Sequence, residues 1–298
     1  MFDLLSITWD VSPDILQIGS FHLKWYSILF VVGFFPIGYY IMRSFYKREG
    51  IPVENLDYLL YALLICALVG SRLGHVFFYD WAYYSQHPWE ILATWKGGLA
   101  SHGGAVGVLI AMWWYVKKYG KQFGFGYVQI LDRIVIPICF AGMFIRFGNL
   151  FNSEIYGHAT DLPWGFIFVR DGQTIAKHPT QLYEAFSYLL LGIGLVTLYL
   201  KKLDKLKTGT IFGIFLICLF GARFLIEFVK EPQEAFEQTM VLNMGQWLSV
   251  PFILAGISIL IYSIKWGKPA RIVVPGTQKN TPKVTKGKTP LAHTKSLN

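Results

Sequence analysis

Seven apolar runs, separated by short polar stretches, fill most of the chain between residues 24 and 265. They lie at roughly 24–42, 57–79, 103–116, 128–149, 182–200, 208–228 and 244–265. A helix needs about 20 predominantly apolar residues to cross the hydrocarbon core of a bilayer. Each run is apolar all round rather than along one stripe, which separates a membrane span from a helix packed on a soluble core. The pattern predicts an all-α integral membrane protein with about seven transmembrane helices. The third run is the shortest, so residues 97–101 are expected to dip into the membrane ahead of it. Between the fourth and fifth runs, residues 150–181 mix Gly, Pro, Asp and aromatics. They are expected to form a small extracytoplasmic cap.

Charge between the runs sets the orientation. Alternate loops and the C-terminal segment carry 18 Lys and Arg; the opposite side carries four, Lys96, Arg170, Lys177 and Lys230. Basic loops stay cytoplasmic, so the N-terminus is expected outside and the C-terminus in the cytoplasm. The first 23 residues contain no Lys or Arg, so no cleavable signal peptide is expected. From 268 onward the chain is rich in Lys, Thr, Pro and Gly without an apolar period. This divides the protein into a transmembrane domain, 1–267, and a disordered basic cytoplasmic tail, 268–298. Removing the tail is expected to leave activity largely intact.

Composition supports the same class. Of 298 residues, 54% are hydrophobic, 17% aromatic and 15% charged, whereas a soluble domain has about a quarter charged. The net charge of +9 does not argue for nucleic acid, because topology already explains where the basic residues sit. Cys66, Cys139 and Cys218 all lie inside apolar runs, without CxxC pairing or metal-ligand spacing. They read as buried small apolar residues, so no metal, cofactor or enzyme thiol nucleophile is expected.

Ionisable residues inside a membrane are costly, and those present need a partner or a task. Four arginines lie within the runs, Arg72, Arg133, Arg146 and Arg223, with Asp132, Glu184 and Glu227 as carboxylates. Asp132 and Arg133 read as structural, and Arg72 as paired in the bundle or lining a cavity. In GMFIRFGNLFNSEIYG, 142–157, Arg146, Asn149 and Asn152 are spaced three apart and share one helical side. Gly142 and Gly148 admit a close neighbour. An arginine with carboxamides suits a phosphate bearing a hydroxylated substituent; a plain polar clamp with Glu154 is the alternative.

Three further motifs contribute candidates. WKGGLASHGGAVG, 95–107, sets His102 between two glycine pairs, with a reference pKa of about 6.5 that suits proton transfer. Ser101 beside it does not form the facing nucleophile–base pair of a protease. HPTQLYEA, 178–185, opens the fifth run with Pro179 and Thr180. It gathers His178 and Gln181 at a helix start, where anions are favoured. In FGARFLIEFVKEP, 220–232, Arg223 and Glu227 are four apart. They either neutralise each other or Glu227 holds Arg223 towards a lipid phosphate. Tyr26, in HLKWYSILF, is an interfacial aromatic or a ligand. With the expected topology these residues converge on the outer ends of the helices, which points to an outer-leaflet site for an anionic headgroup.

The motifs HLKWYSILF, GGLASHGGAVG, RFGNLFNSEIYG, HPTQLYEA and RFLIEFVKEP together resemble one family, prolipoprotein diacylglyceryl transferase, from about Ser20 to Lys265. The resemblance implies a multi-pass enzyme of the bacterial plasma (inner) membrane that needs no cofactor. Its partners would be phosphatidylglycerol, prolipoproteins with a lipobox cysteine, and the surrounding bilayer. It would transfer diacylglyceryl to that cysteine as a thioether and release glycerol 1-phosphate. By motif position, Arg146 and Arg223 match the headgroup-associated arginines. His102, Asn149, Glu154, Gly157, Tyr26 and Glu227 match positions linked to activity, and His178 and Gln181 fall in a further family motif. Catalysis is therefore expected from His102, Arg146, Glu154 and Arg223, with His102 or Glu154 as the base. Substrate binding is expected from Tyr26, Arg146, Asn149, Gly157, His178, Gln181 and Glu227. A transporter or channel for an anionic solute is the main rival; a lipid phosphatase or an intramembrane protease would need motifs that are missing.

Overall fold

A computed structural model describes residues 6–19, 21–232, 237 and 240–275. Three short strands come first: β1 (Ile7–Trp9), β2 (Asp14–Ile18) and β3 (Phe21–Lys24), the last two an antiparallel pair. The first span is Trp25–Glu49, built as α1 (Trp25–Val32), a π-helical turn (Gly33–Ile37) and α2 (Gly38–Glu49). Pro36 lies in that turn; its missing N–H and its ring prevent a regular α-helical ladder there. Then follow α3 (Glu54–Phe78), the single turn α4 (Trp81–Tyr84), α5 (Ser101–Phe123) and α6 (Tyr127–Phe151). β4 (Phe166–Phe168) pairs parallel with β1. The chain closes with α7 (Thr180–Lys202), α8 (Thr210–Ile226) and α9 (Met244–Trp266).

Among the described residues six helices are long and apolar enough to cross a membrane, all but α5 of the seven expected segments. α5 has 23 residues, longer than the run that predicted it, because a helix carries its polar last turn (Lys117, Lys118, Lys121) along with the apolar part. Residues 97–100 precede it in irregular structure, with Gly97 and Gly98 at positive φ, after two short 3-10 turns, Pro88–Leu92 and Thr94–Lys96. The fold is helical but not purely so: the four strands gather beside the 152–179 segment, where Leu150, Phe166 and Phe168 form a small second core.

α6 is the axis of the bundle. Half of its apolar window is buried, against a third or less in each of the other five. The outer helices instead expose large apolar side chains such as Leu190, Leu225 and Ile264, as lipid-facing surfaces do, while their backbone groups are satisfied within each helix. Of the glycines around His102, Gly103 and Gly104 pack α5 onto α3, where a Cβ on Gly74 would stand 2.8 Å from Gly103 Cα, while Gly97 has open space beside it.

At one end of the bundle buried charges are structural. The Asp132 carboxylate accepts from the amides of Gly209 (2.7 Å) and Phe212 (2.8 Å) at the start of α8, where the helix leaves N–H groups unpaired. Arg133 forms a two-pronged pair with Glu49, and both side chains are 1% exposed. The stretch after α9 seals this pair. Arg133 donates to the Ala270 carbonyl (2.7 Å), and the Ile272 amide donates to Glu49 Oε1 (3.0 Å). Ala270 and Ile272 are buried. The first residues beyond 267, expected as tail, are thus part of the packed bundle; the remainder, 276–298, lies outside the described residues.

Candidate active site

The other end of the bundle holds the residues singled out above, and they build upward from the C-terminus of α6. Arg146, Asn149 and Asn152 line one side as their spacing requires. Arg146 Nη1 donates to Asn149 Oδ1 (3.1 Å), and Asn149 Nδ2 and Asn152 Nδ2 both donate to Glu154 Oε1 (2.7 and 3.1 Å). After α6 the chain reverses sharply, with Ser153 at φ 53° and Ile155 at φ 63°. A left-handed conformation in a non-glycine residue costs about 1–3 kcal/mol, and in β-branched Ile155 it is a rare one. The first turn of α7 holds it in place: Thr180 Oγ1 donates to the Ile155 carbonyl (2.8 Å) and Gln181 Nε2 to the Glu154 carbonyl (2.7 Å). Both side chains are fully buried. HPTQ therefore fixes the loop that presents Glu154.

Two glycines are required by close approach. A Cβ on Gly148 would lie 2.7 Å from Tyr26 Cδ2, so the glycine lets the Tyr26 ring settle against α6, within the electrostatic reach of Glu154 and Arg146. A Cβ on Gly157 would lie 2.8 Å from His178 Cβ. Here the Gly157 amide donates to the His178 carbonyl (2.8 Å) and the His158 amide to the Val229 carbonyl (2.9 Å), drawing the segment after α8 against residues 157–178. His178 Nδ1 lies 3.1 Å from the Tyr183 hydroxyl. Burial lowers the His178 pKa, and neighbouring His158 adds to the shift.

The deepest layer contains two residues that motif reading did not place in the site. Glu184, fully buried, lies one turn beyond Gln181 and meets Arg146 Nε at 2.5 Å. Lys230, 1% exposed, lies 3.5 Å from Glu184 Oε1 and 3.6 Å from Glu227 Oε2. Burial lowers the Lys230 pKa while Glu184 and Glu227 oppose the shift. Tyr188 offers Arg146 a further side-chain hydrogen bond. Glu184 was visible as an intramembrane carboxylate, but Lys230 reads in sequence as an ordinary loop lysine.

The expected Arg223–Glu227 pair does not form among the described residues. α8 ends at Ile226 with the Glu227 amide still donating to the Arg223 carbonyl; the Glu227 side chain instead turns to Lys230 across the 3-10 turn Glu227–Val229 and packs against Gly245. The half-buried Arg223 guanidinium has no hydrogen bond or ion pair among the described residues, although its charge is felt at Tyr188 and Lys230. His102 stands apart from this network. It is exposed at the start of α5, against the rings of Phe78 (5.9 Å) and Tyr79 (5.6 Å), with no polar partner among the described residues. Arg72 is structural: its guanidinium donates to the carbonyls of Glu90, Ile91, Gly97 and Gly98 and ties the 88–98 loop to α3.

Fold and site together define a multi-pass membrane protein with a two-arginine, carboxamide-lined polar site at one end of its bundle. The family profile described as prolipoprotein diacylglyceryl transferase matches residues 13–262. Three relatives carry the name phosphatidylglycerol–prolipoprotein diacylglyceryl transferase. The chain is 45% identical to that of Tolumonas auensis over 257 residues, covering 86% of this chain and 97% of the relative. It is 40% identical to that of Chloroherpeton thalassium (87% and 95% covered) and 39% identical to that of Porphyromonas gingivalis (87% and 95%). The chain belongs to the prolipoprotein diacylglyceryl transferase family.

Proposed function

We propose that the protein transfers diacylglyceryl from phosphatidylglycerol to the lipobox cysteine thiol of prolipoproteins. The sulfur attacks the glyceryl carbon that bears the phosphate. A thioether C–S bond forms, the C–O bond to phosphate breaks, and glycerol 1-phosphate leaves with the electron pair while the thiol proton passes to a base. Negative charge grows on the leaving phosphate, so cations placed there stabilise the transition state more than the ground state. The observation that carries this reading is the Arg223 guanidinium, without an anionic partner among the described residues, whose charge reaches the same Tyr188 and Lys230 as that of Arg146 in the Arg146–Asn149–Glu154 chain. Arg146 retains N–H groups beyond those used by Glu184 and Asn149.

The thiol, with a reference pKa of about 8.5, needs help to ionise. Glu154 Oε1 is engaged by Asn149 and Asn152, whereas the His102 ring is exposed and without a polar partner among the described residues. That difference favours His102 as the proton acceptor and Glu154 as the residue that orients Asn149. With α5 read as a seventh span, the asymmetry of basic loops supports an N-terminus and a site at the outer leaflet of the plasma membrane. An anion transporter would need a polar path to both faces. The opposite end instead commits Glu49, Asp132 and Arg133 to buried hydrogen bonds.

Purified protein incubated with labelled phosphatidylglycerol and a lipobox peptide should yield the diacylglyceryl thioether by mass, and no product from the folded protein would refute the reaction. A cysteine placed at the N-terminus should react with an impermeant label in intact cells and one placed in the tail should not; the reverse pattern would overturn the orientation.

A further inference from the structure

Glu184 is held unusually. It is fully buried, and neither carboxylate oxygen meets hydrogen-bond geometry with a partner among the described residues. Its neighbours are two cations, Arg146 Nε at 2.5 Å and Lys230 Nζ at 3.5 Å. Lys230 in turn spans to Glu227 Oε2 at 3.6 Å, whose oxygen also lacks a hydrogen bond. Around the site three cations, Arg146, Arg223 and Lys230, face three carboxylates, Glu154, Glu184 and Glu227. A phosphodiester entering this balanced set competes with Glu184 for the Arg146 guanidinium. A buried carboxylate stripped of its partner is strongly destabilising, so Arg146 can turn to phosphate only if another cation stays with Glu184.

We propose that Lys230 is that cation: a positioning residue which keeps hold of Glu184 and Glu227, so that Arg146 can engage the headgroup phosphate without leaving a lone buried anion. Its placement is suited to this. The bridge between Gly157 and Lys230 fixes its backbone against the cap, and the ammonium sits between the two carboxylates rather than closed onto either. This inference rests on the phosphatidylglycerol reading above. It differs from a merely structural ion pair in where the coupling is read. If Lys230 only balances a buried charge, its loss and the repair by neutralising Glu184 appear in melting temperature while KM stays near wild type. If Lys230 releases Arg146 from Glu184, neutralising Glu184 repairs the KM lost with Lys230.

The test uses the full chain as wild type, Lys230→Gln, Lys230→Met, Lys230→Arg, Glu184→Gln and the Lys230→Gln/Glu184→Gln double variant. KM and kcat for phosphatidylglycerol in mixed micelles are measured at saturating lipobox peptide, with melting temperatures for each. In Lys230→Gln, KM should rise at least about tenfold, the factor that 1.4 kcal/mol makes, with a smaller change in kcat. Lys230→Arg should stay near wild type, and the double variant should recover much of the lost affinity. Lys230→Gln keeps a polar tip, so it carries the comparison if the methionine variant does not fold. Unchanged KM in folded Lys230→Gln, or a further rise in the double variant, would overturn the inference and leave the reaction standing. A folded wild type that makes no thioether would remove the reaction and this inference with it.

Discussion

Arg146→Lys keeps the charge of the site and removes its geometry. The guanidinium faces Glu184 through Nε (2.5 Å) and donates to Asn149 through Nη1 (3.1 Å), leaving other N–H groups of the same plane for a phosphate oxygen. A lysine ammonium offers three donors from one point instead of five in a fixed fork. Drawn to Glu184, it releases Asn149 and with it the donor that orients Glu154; drawn to the phosphate, it strands Glu184 on Lys230. Losing one donor aimed at developing charge costs about 2.7–4 kcal/mol, or roughly 10²–10³ in rate. The fold itself should lose only about 1–3 kcal/mol, the cost of an unsatisfied buried amide, because Glu184 keeps a cation beside it. Arg146→Ala is harsher, since breaking a buried pair costs about 3–5 kcal/mol, so its activity is read only beside its melting temperature. Single-turnover rates with labelled phosphatidylglycerol, and titration of the lipid into the folded variant, measure the effect. Wild-type affinity and rate in Arg146→Lys would reduce Arg146 to a charge that balances Glu184.

Three further outcomes follow from particular contacts. His102→Gln should cut turnover with little change in phosphatidylglycerol affinity, because among the described residues His102 meets only the rings of Phe78 and Tyr79 and not the arginine network, and raising the pH should partly restore the rate as more thiol ionises; weakened lipid affinity would make it a headgroup residue instead. Truncation after Pro275 should leave melting temperature and activity near wild type, whereas truncation after Gly267 removes the partners of Arg133 and Glu49 and should cost about 1–3 kcal/mol for each buried group left unsatisfied. Equal melting temperatures for the two truncations would show that the seal contributes nothing. The lowered His178 pKa means that, between that value and about 6.5, the unfolded chain binds more protons than the folded one, so stability rises with pH through this window. Melting temperature should therefore fall between pH of about 7 and about 5, and less so in His178→Gln; identical slopes would exclude His178 as the source.

Much of this protein was legible in its residues because a bilayer imposes simple demands. Each span had to be long, apolar and self-satisfied, so the seven runs marked the helices to within a few residues, apart from the polar extensions of α2 and α5. Arg146, Asn149 and Asn152 share one helix, and their joint use of Glu154 follows from spacing alone. The Arg223–Glu227 spacing misled, because the Glu227 carboxylate pairs with Lys230, which the turn after α8 brings beside it. Of the two glycine pairs around His102, the second, Gly103 and Gly104, proved to be a contact that packs α5 on α3.

What the chain by itself determined was therefore local: where helices run, which side of each is polar, and that buried charges must find partners. Which partners they found was decided only by the fold. Glu184 meets Lys230 from 46 positions away, because the loop after α6 pairs its Gly157 with Lys230 itself. Glu49 and Arg133 are sealed by Ala270 and Ile272, from a stretch with no apolar period. The physical reason is that low-dielectric burial makes an unpaired charge costly wherever it sits, but sequence separation carries no information on which opposite charge the packing will bring within reach.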